Sequence, residues 1–272
     1  MKNILLASTI LAASAGFAAA DAPTFSGSAA AGIASQAGGD MATYSSAELT
    51  VAMVGQTDTG LSFGADLSAT AGRSYTLGDG DDFADESGAF GMPTVWISGT
   101  FGKVSISDDN FDFFDDTNSG GDVKYEGTFG GFGVGLITDV DNPSQFSGQA
   151  TYTLAGIALT ANYDTYGLWN ASAAYTMGAI TATAATDESS NSSVKLAYSA
   201  NGISASAQYN TSDASVDVAG GYASGAFALD ADYNTVSGNW NATASYDLGN
   251  GLSLVAGTNY TGDMMVGAKM VF

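Results

Sequence analysis

Ile157-Ala-Leu-Thr-Ala-Asn-Tyr163 and Trp169-Asn-Ala-Ser-Ala-Ala-Tyr-Thr-Met177 decide the fold. In the first, Ile157, Leu159, Ala161 and Tyr163 alternate with Ala158, Thr160 and Asn162. In the second, Trp169, Ala171, Ala173, Tyr175 and Met177 alternate with Asn170, Ser172, Ala174 and Thr176. An apolar residue at every second position, with small polar residues between, puts one face in a dry environment and the other in a wet one. That is the period of a strand, not of a helix.

The same alternation runs outward in both directions, punctuated by short turns. These fall at Thr57-Asp-Thr-Gly60, Phe101-Gly-Lys103, Gly130-Gly131, Ala155-Gly156, Gly178-Ala179, Asn201-Gly202, Ser224-Gly225 and Gly249-Asn-Gly251. Gly- and Asn-containing pairs supply the positive φ that tight hairpins need. A tyrosine precedes each turn in the second half: Tyr152, Tyr175, Tyr198, Tyr222 and Tyr246, spaced 23, 23, 24 and 24 residues apart. A second set, Tyr163, Tyr209, Tyr233 and Tyr260, marks the far strand ends, mostly followed by Asp or Asn and then Thr. The other connections are longer and polar: 75–91, 108–121, 139–145, 187–192 and 211–214. Counting turns and loops gives 18 strands, from Phe25–Gln36 to Met264–Phe272, with 16 as the lower bound.

Composition narrows the function. The chain has 272 residues, 28 Asp and Glu against 6 Lys and Arg, and no His or Cys. Triads built on His, Cys-His dyads, thiolate zinc sites and disulfides are all excluded. A formal charge of −22 argues against a nucleic-acid partner, because phosphate binding needs clustered cations. The first twenty residues have the form of a secretory signal peptide: Lys2, an apolar run from Ile4 to Phe17, and Ala18-Ala19-Ala20 before Asp21. Cleavage is expected after Ala20, leaving residues 21–272 as one domain.

A soluble β-sandwich buries its apolar face in a core of Val, Ile, Leu and Phe. Here that face is rich in Ala, and the aromatics collect at the strand ends. Two tyrosine rows fit the girdles of a transmembrane β-barrel: short turns on the periplasmic side, longer loops outside, and an apolar band against lipid. The opposite parity then faces the lumen. Its charged members are Glu48, Asp66, Asp122, Lys124, Glu126, Lys195, Asp217, Asp230, Asp232, Asp247 and Lys269. A lumen of that polarity is wet, and 16 to 18 strands enclose an aqueous channel. Focused by the low-dielectric wall, the inward acids favour cations weakly. Two other readings fit the pattern: a plugged barrel used structurally or as an adhesin, and a secreted sandwich or solenoid.

Two acidic clusters stand out. Asp108 to Asp116 holds Asp108, Asp109, Asp112, Asp115 and Asp116 with Phe111, Phe113 and Phe114. Either the phenylalanines pack this loop onto the barrel wall and the carboxylates line a constriction, or it is a solvated surface loop. Asp79, Asp81, Asp82, Asp85 and Glu86 have the carboxylate density of a calcium site without EF-hand spacing, so a weak Ca2+ site stands beside a plain solvated loop.

Four segments resemble the alphaproteobacterial general porins of the Gram-negative outer membrane: Glu48 to Ala65, Val95 to Ile106, Ala244 to Ala256 and Val266 to Phe272. The resemblance implies a homotrimer of 16-stranded barrels, each passing ions and small hydrophilic solutes without catalysis or cofactor. It also implies a third external loop, here from Asp108 to Gly121, folded into the barrel, and contacts with outer-membrane lipid and lipopolysaccharide. Phe272 would be the signal read by the barrel-assembly machinery. Two features depart from the family: the strand count exceeds it by two, and the mature chain keeps only Arg73, Lys103, Lys124, Lys195 and Lys269 as bases.

Overall fold

The computed structural model describes residues 19–36, 39–77, 83–114 and 120–272. The leader through residue 18, and Asp79, Asp81, Asp82, Asp115 and Asp116, lie outside the described residues. The described chain is all β, and its strands close on themselves. They are β1 Thr24–Ser35, β2 Ala42–Gln56, β3 Ser62–Tyr75, β4 in two segments (Phe83–Phe90 and Thr94–Gly99), β5 Gly102–Phe111 and β6 Gly121–Phe129. The series continues with β7 Phe132–Thr138, β8 Phe146–Leu154, β9 Ile157–Asp164, β10 Trp169–Met177, β11 Ile180–Asp187 and β12 Ser192–Ala200. It ends with β13 Ile203–Asn210, β14 Val216–Ser224, β15 Phe227–Asn234, β16 Trp240–Gly249, β17 Leu252–Asn259 and β18 Met264–Val271. Ala19–Ala20 add a two-residue strand against Gly55 and Gln56 of β2.

Both segments of β4 lie along the same edge of β3, Tyr75↔Phe83 to Ala69↔Phe90 above and Asp66↔Thr94 to Ser62↔Ser98 below. They therefore form one barrel strand, broken at Gly91-Met92-Pro93, where Pro93 has no N–H to give to a ladder. Closure comes from β18 against β1, Val271↔Ser28 to Met264↔Ser35, with Phe272 and Gly27 exchanging backbone hydrogen bonds of 2.9 and 3.3 Å. The result is an antiparallel barrel of 18 strands. This corrects the 16 implied by the porin resemblance. The strands of the second half are only 8 to 10 residues long and are joined by short turns, so the chain reaches 18 strands without extra length. The expected loop at 75–91 is corrected too, because 83–90 pair with β3 as a hairpin above the band.

Tight turns have the backbone their residues suggest. Asn201-Gly202 and Asn250-Gly251 hold φ of 54° and 75°, and 52° and 81°, as two-residue hairpins require. Ala155, held at φ 51° before Gly156, lacks the short polar side chain that eases this conformation in asparagine.

The molecule has almost no conventional core. Among the described residues, the buried apolar side chains are Ala34, Tyr44, Phe113 and Ile137. The large aliphatic residues lie on the outside instead: Val194 is 59% exposed, Leu196 56% and Val266 57%. A sandwich or solenoid is thereby ruled out, since no second layer covers that face.

Candidate functional site

The candidate site is the inner wall of the barrel. Within the runs of strand that pair without a register shift, one inward residue fixes the parity of the rest. Gln149, Asn162 and Asn170 occupy one rung of β8, β9 and β10. The Gln149 amide donates to Asn162 Oδ1 at 3.0 Å, and the Asn162 amide donates to Asn170 Oδ1 at 2.9 Å. A second rung carries Lys195, Gln208, Asp217 and Asn234 across β12 to β15. There Asp217 accepts from the Asn210 and Asn234 amides at 2.7 and 2.6 Å. Amides laid side by side satisfy one another around the wall and still present donors and acceptors to water.

Register places Glu48, Asp66, Lys124, Glu126, Lys195, Asp217, Asp230, Asp232, Asp247 and Lys269 on this inner face. Lys124 pairs with Glu126 at 3.0 Å. Asp66 accepts the indole N–H of Trp96 at 3.0 Å, and the Lys103 ammonium lies 4.8 Å above that ring. Trp96 and Lys103 share the lumen face, yet neither stood among the residues assigned to it from sequence. The signal was present: Val95 and Ile97 take the lipid parity and leave Trp96 with the lumen. Asp247 turns back at its hairpin and accepts the Gly249 N–H at 2.7 Å.

Asp122 behaves differently from the expected lumen-lining acid. It is buried, at 9% exposure, and accepts the N–H groups of Asp109 (2.9 Å) and Val140 (2.7 Å). Its carboxylate ties the bulged end of β5 to the loop after β7 instead of facing water. Arg73 stands near the rim, 3.6 Å from Asp85 and 4.3 Å over the Phe83 ring, which itself lies against Tyr75 and, through it, the inward Tyr44.

The segment after β5 turns into the barrel. The Phe114 N–H donates to the buried Ser147 hydroxyl at 3.0 Å, and its ring lies over Gly135, where a β-carbon would collide with it. Any larger residue at 135 would displace that ring. Phe113 is 1% exposed and meets Tyr166 at 6.4 Å between ring centres. Phe111 pairs with Gly121 across a bulge that begins after Ile106. Asp108, Asp109 and Asp112 are exposed.

The outer turns explain the Tyr-Asx-Thr repeat. Asp164 accepts the N–H groups of Tyr166 and Leu168, both at 2.9 Å, and Asn234 accepts those of Val236 and Ser237. The following threonine caps a neighbouring strand: Thr165 accepts from Phe146 N–H, Thr211 from Ser192 N–H and Thr235 from Val216 N–H. At Asp213, in the turn after β13, the Ser215 hydroxyl and N–H hold the carboxyl below the usual carboxylate range.

All nine tyrosines of the two rows lie on the outer parity. Tyr152, Tyr175, Tyr198, Tyr222 and Tyr246 sit near the tight turns, and Tyr163, Tyr209, Tyr233 and Tyr260 near the loops. The upper row is reinforced by Trp169 beside Tyr163 and Trp240 beside Tyr233; the lower by Phe132, stacked 4.2 Å from Tyr152. Asp85 and Glu86 are consecutive strand residues on opposite faces, one on Arg73 and the other accepting from Ser74 at 2.9 Å. They do not converge on one ion, and among the described residues no three acids do.

Comparison with known proteins bears out the resemblance drawn from the sequence. Residues 7–139, just under half of the chain, match the family model of the Gram-negative porins. A triple variant of the Rh. blastica porin superposes with a TM-score of 0.59 over 92% of this chain and all of its own, at 17% identity. OmpT of Vibrio cholerae, an outer membrane protein in trimer form, gives 0.53 over 94% of this chain and all of its own, at 13% identity. OmpF of Salmonella typhi with daunomycin gives 0.51 over 92% of this chain and 97% of its own, at 13% identity. At such identities these structures share the fold with this chain. No curated protein sequence matches the chain.

Proposed function

We propose, with the porin match and the porin fold as premise, that this chain is an outer-membrane porin. It forms a water-filled, weakly cation-selective channel for passive diffusion of ions and small hydrophilic solutes. One observation carries the reading: large apolar side chains are exposed all round the outer face, while the opposite parity forms amide and carboxylate rungs. An exposed apolar surface of that extent needs a hydrocarbon partner.

The preference for cations follows from the lumen inventory. Glu48, Asp66, Glu126, Asp217, Asp230, Asp232 and Asp247 face Lys103, Lys124, Lys195 and Lys269, seven carboxylates to four ammonium groups. The excess is not spread evenly. Strands β14 to β16 carry four carboxylates and no base, and β15 lies nine strands from β6, across the lumen from Lys124 and Glu126. A cation passing between these walls meets an attractive field on the β15 side, strengthened by the low dielectric of the surrounding wall.

Segment 108–114, with Asp115 and Asp116 beyond it, acts as the constriction, held to the wall by Phe114 on Gly135 and Ser147. The chain is exported on its leader, and Phe272 serves as the insertion signal for the barrel-assembly machinery. It assembles as a homotrimer through the small outer face of β1 (Ala29 and Ala31), beside lipid and lipopolysaccharide. The reversal potential across a planar bilayer with a KCl gradient tests the selectivity. A sign favouring potassium supports it; a sign favouring chloride refutes it.

A further inference from the structure

The inner wall is not uniform. Strand β7 turns Gly133 and Gly135 inward, so from the tight turn up to Ile137 it has no inward side chain between the residues of β6 and β8. The furrow this leaves is a recess of about 410 Å3, within the range of small-molecule sites. Glu126 and Lys103 stand on one side; Gln149 and Thr151 stand on the other. The Phe114 ring lies over Gly135, at the edge of the recess.

The charges of this recess are already compensated. Glu126 is paired with Lys124 at 3.0 Å, and the Lys103 ammonium sits over the Trp96 ring at 4.8 Å. An ionic solute would have to compete with partners already in place. What the recess offers is a close set of neutral donors and acceptors beside an aromatic ring. Hydroxyls both donate and accept, so a polyhydroxylated molecule satisfies the Gln149 amide and the Thr151 hydroxyl in either sense, and its C–H face can rest on Phe114.

We infer that this recess is a retention subsite for a small neutral polyhydroxylated solute of monosaccharide size. The inference rests on the channel reading above and deepens it by naming a solute class. Retention is weak, because each hydrogen bond to the wall replaces one to water.

The test is single-channel current of the full protein in planar bilayers, titrated with D-glucose and with a poly(ethylene glycol) of matched size. The expected wild-type response is a partial block that saturates with glucose and does not saturate with the polymer. In the double variant Gln149→Ala, Thr151→Val, two hydrogen-bonding groups are lost and the half-saturating glucose concentration rises by about tenfold. Gly133→Ala, whose new methyl displaces only the Thr151 hydroxyl, shifts it the same way without touching the amide rung. Asn241→Ala, on β16 across the lumen, leaves it unchanged. A conductance that falls linearly with glucose, or saturates identically in all variants, overturns the subsite alone. A protein that never conducts overturns the channel reading and the subsite together.

Discussion

Placing one arginine at two neighbouring positions of β10 separates the lipid face from the lumen face energetically. Ala173 lies between Leu159 and Ala184 on the outer parity, and Ser172 lies between Thr160 and Ala185 on the inner one. Both sit mid-band, between Trp169 and Tyr175, in a span of about 20 Å of strand. Arginine at 173 points into hydrocarbon, where near mid-depth the cost is about 2–4 kcal/mol. At 1.4 kcal/mol per factor of ten, the folding equilibrium should fall by about 30-fold to 1,000-fold. Arginine at 172 reaches lumen water, and its cost should stay near the ~0.5 kcal/mol of an ordinary exposed substitution. The assay is urea-controlled folding into lipid vesicles, with the folded fraction read from the heat-modifiable band on unboiled gels. Equal costs for Ala173→Arg and Ser172→Arg, or a larger cost at 172, would refute the assignment of faces.

Three further outcomes follow from particular contacts. Asp122→Ala removes the acceptor shared by the Asp109 and Val140 N–H groups and should destabilise the barrel; the temperature at which the folded band disappears should drop, and by less in Asp122→Asn, which keeps one oxygen. Ala155→Asn puts a residue tolerant of positive φ into the turn before Gly156 and should raise the same temperature, with a gain of about 0.5–1 kcal/mol. Neutralising β14 and β15 together (Asp217→Asn, Asp230→Asn, Asp232→Asn) leaves Glu48, Asp66, Glu126 and Asp247 against four ammonium groups. The reversal potential should then move close to zero while the conductance persists.

The barrel was legible in the sequence because its two determinants are local. Period-two alternation fixes the faces, as in Ile157 to Tyr163, and positive-φ pairs such as Asn201-Gly202 fix where strands reverse. The count of 18 came from those signals alone. What was not legible depends on contacts between distant segments. Asp122 shares its parity with Lys124 and Glu126, so alternation assigned it to the lumen. Its burial arises only because Asp109 and Val140, 13 and 18 residues away, bring their N–H groups to it. That Phe113 and Phe114 turn to the barrel wall is one of two readings of the sequence; the landing points of Phe114, Gly135 and Ser147, were not legible, because no local rule connects them to it. At 83–90, a cluster of acids with Gly and Ser reads as loop, and pairing with β3 overrides that composition. Lys103 follows a turn glycine, Gly102, where parity is hard to carry across the reversal.

The central claim is that the inner parity surrounds water continuous from one side of the membrane to the other. Single-channel conductance of the purified protein, recorded with neutral polymers of increasing size, tests it directly. Stepwise openings are expected, reduced by polymers small enough to enter and untouched by larger ones. Folded, membrane-inserted protein that gives no openings, or openings indifferent to every polymer, would contradict it.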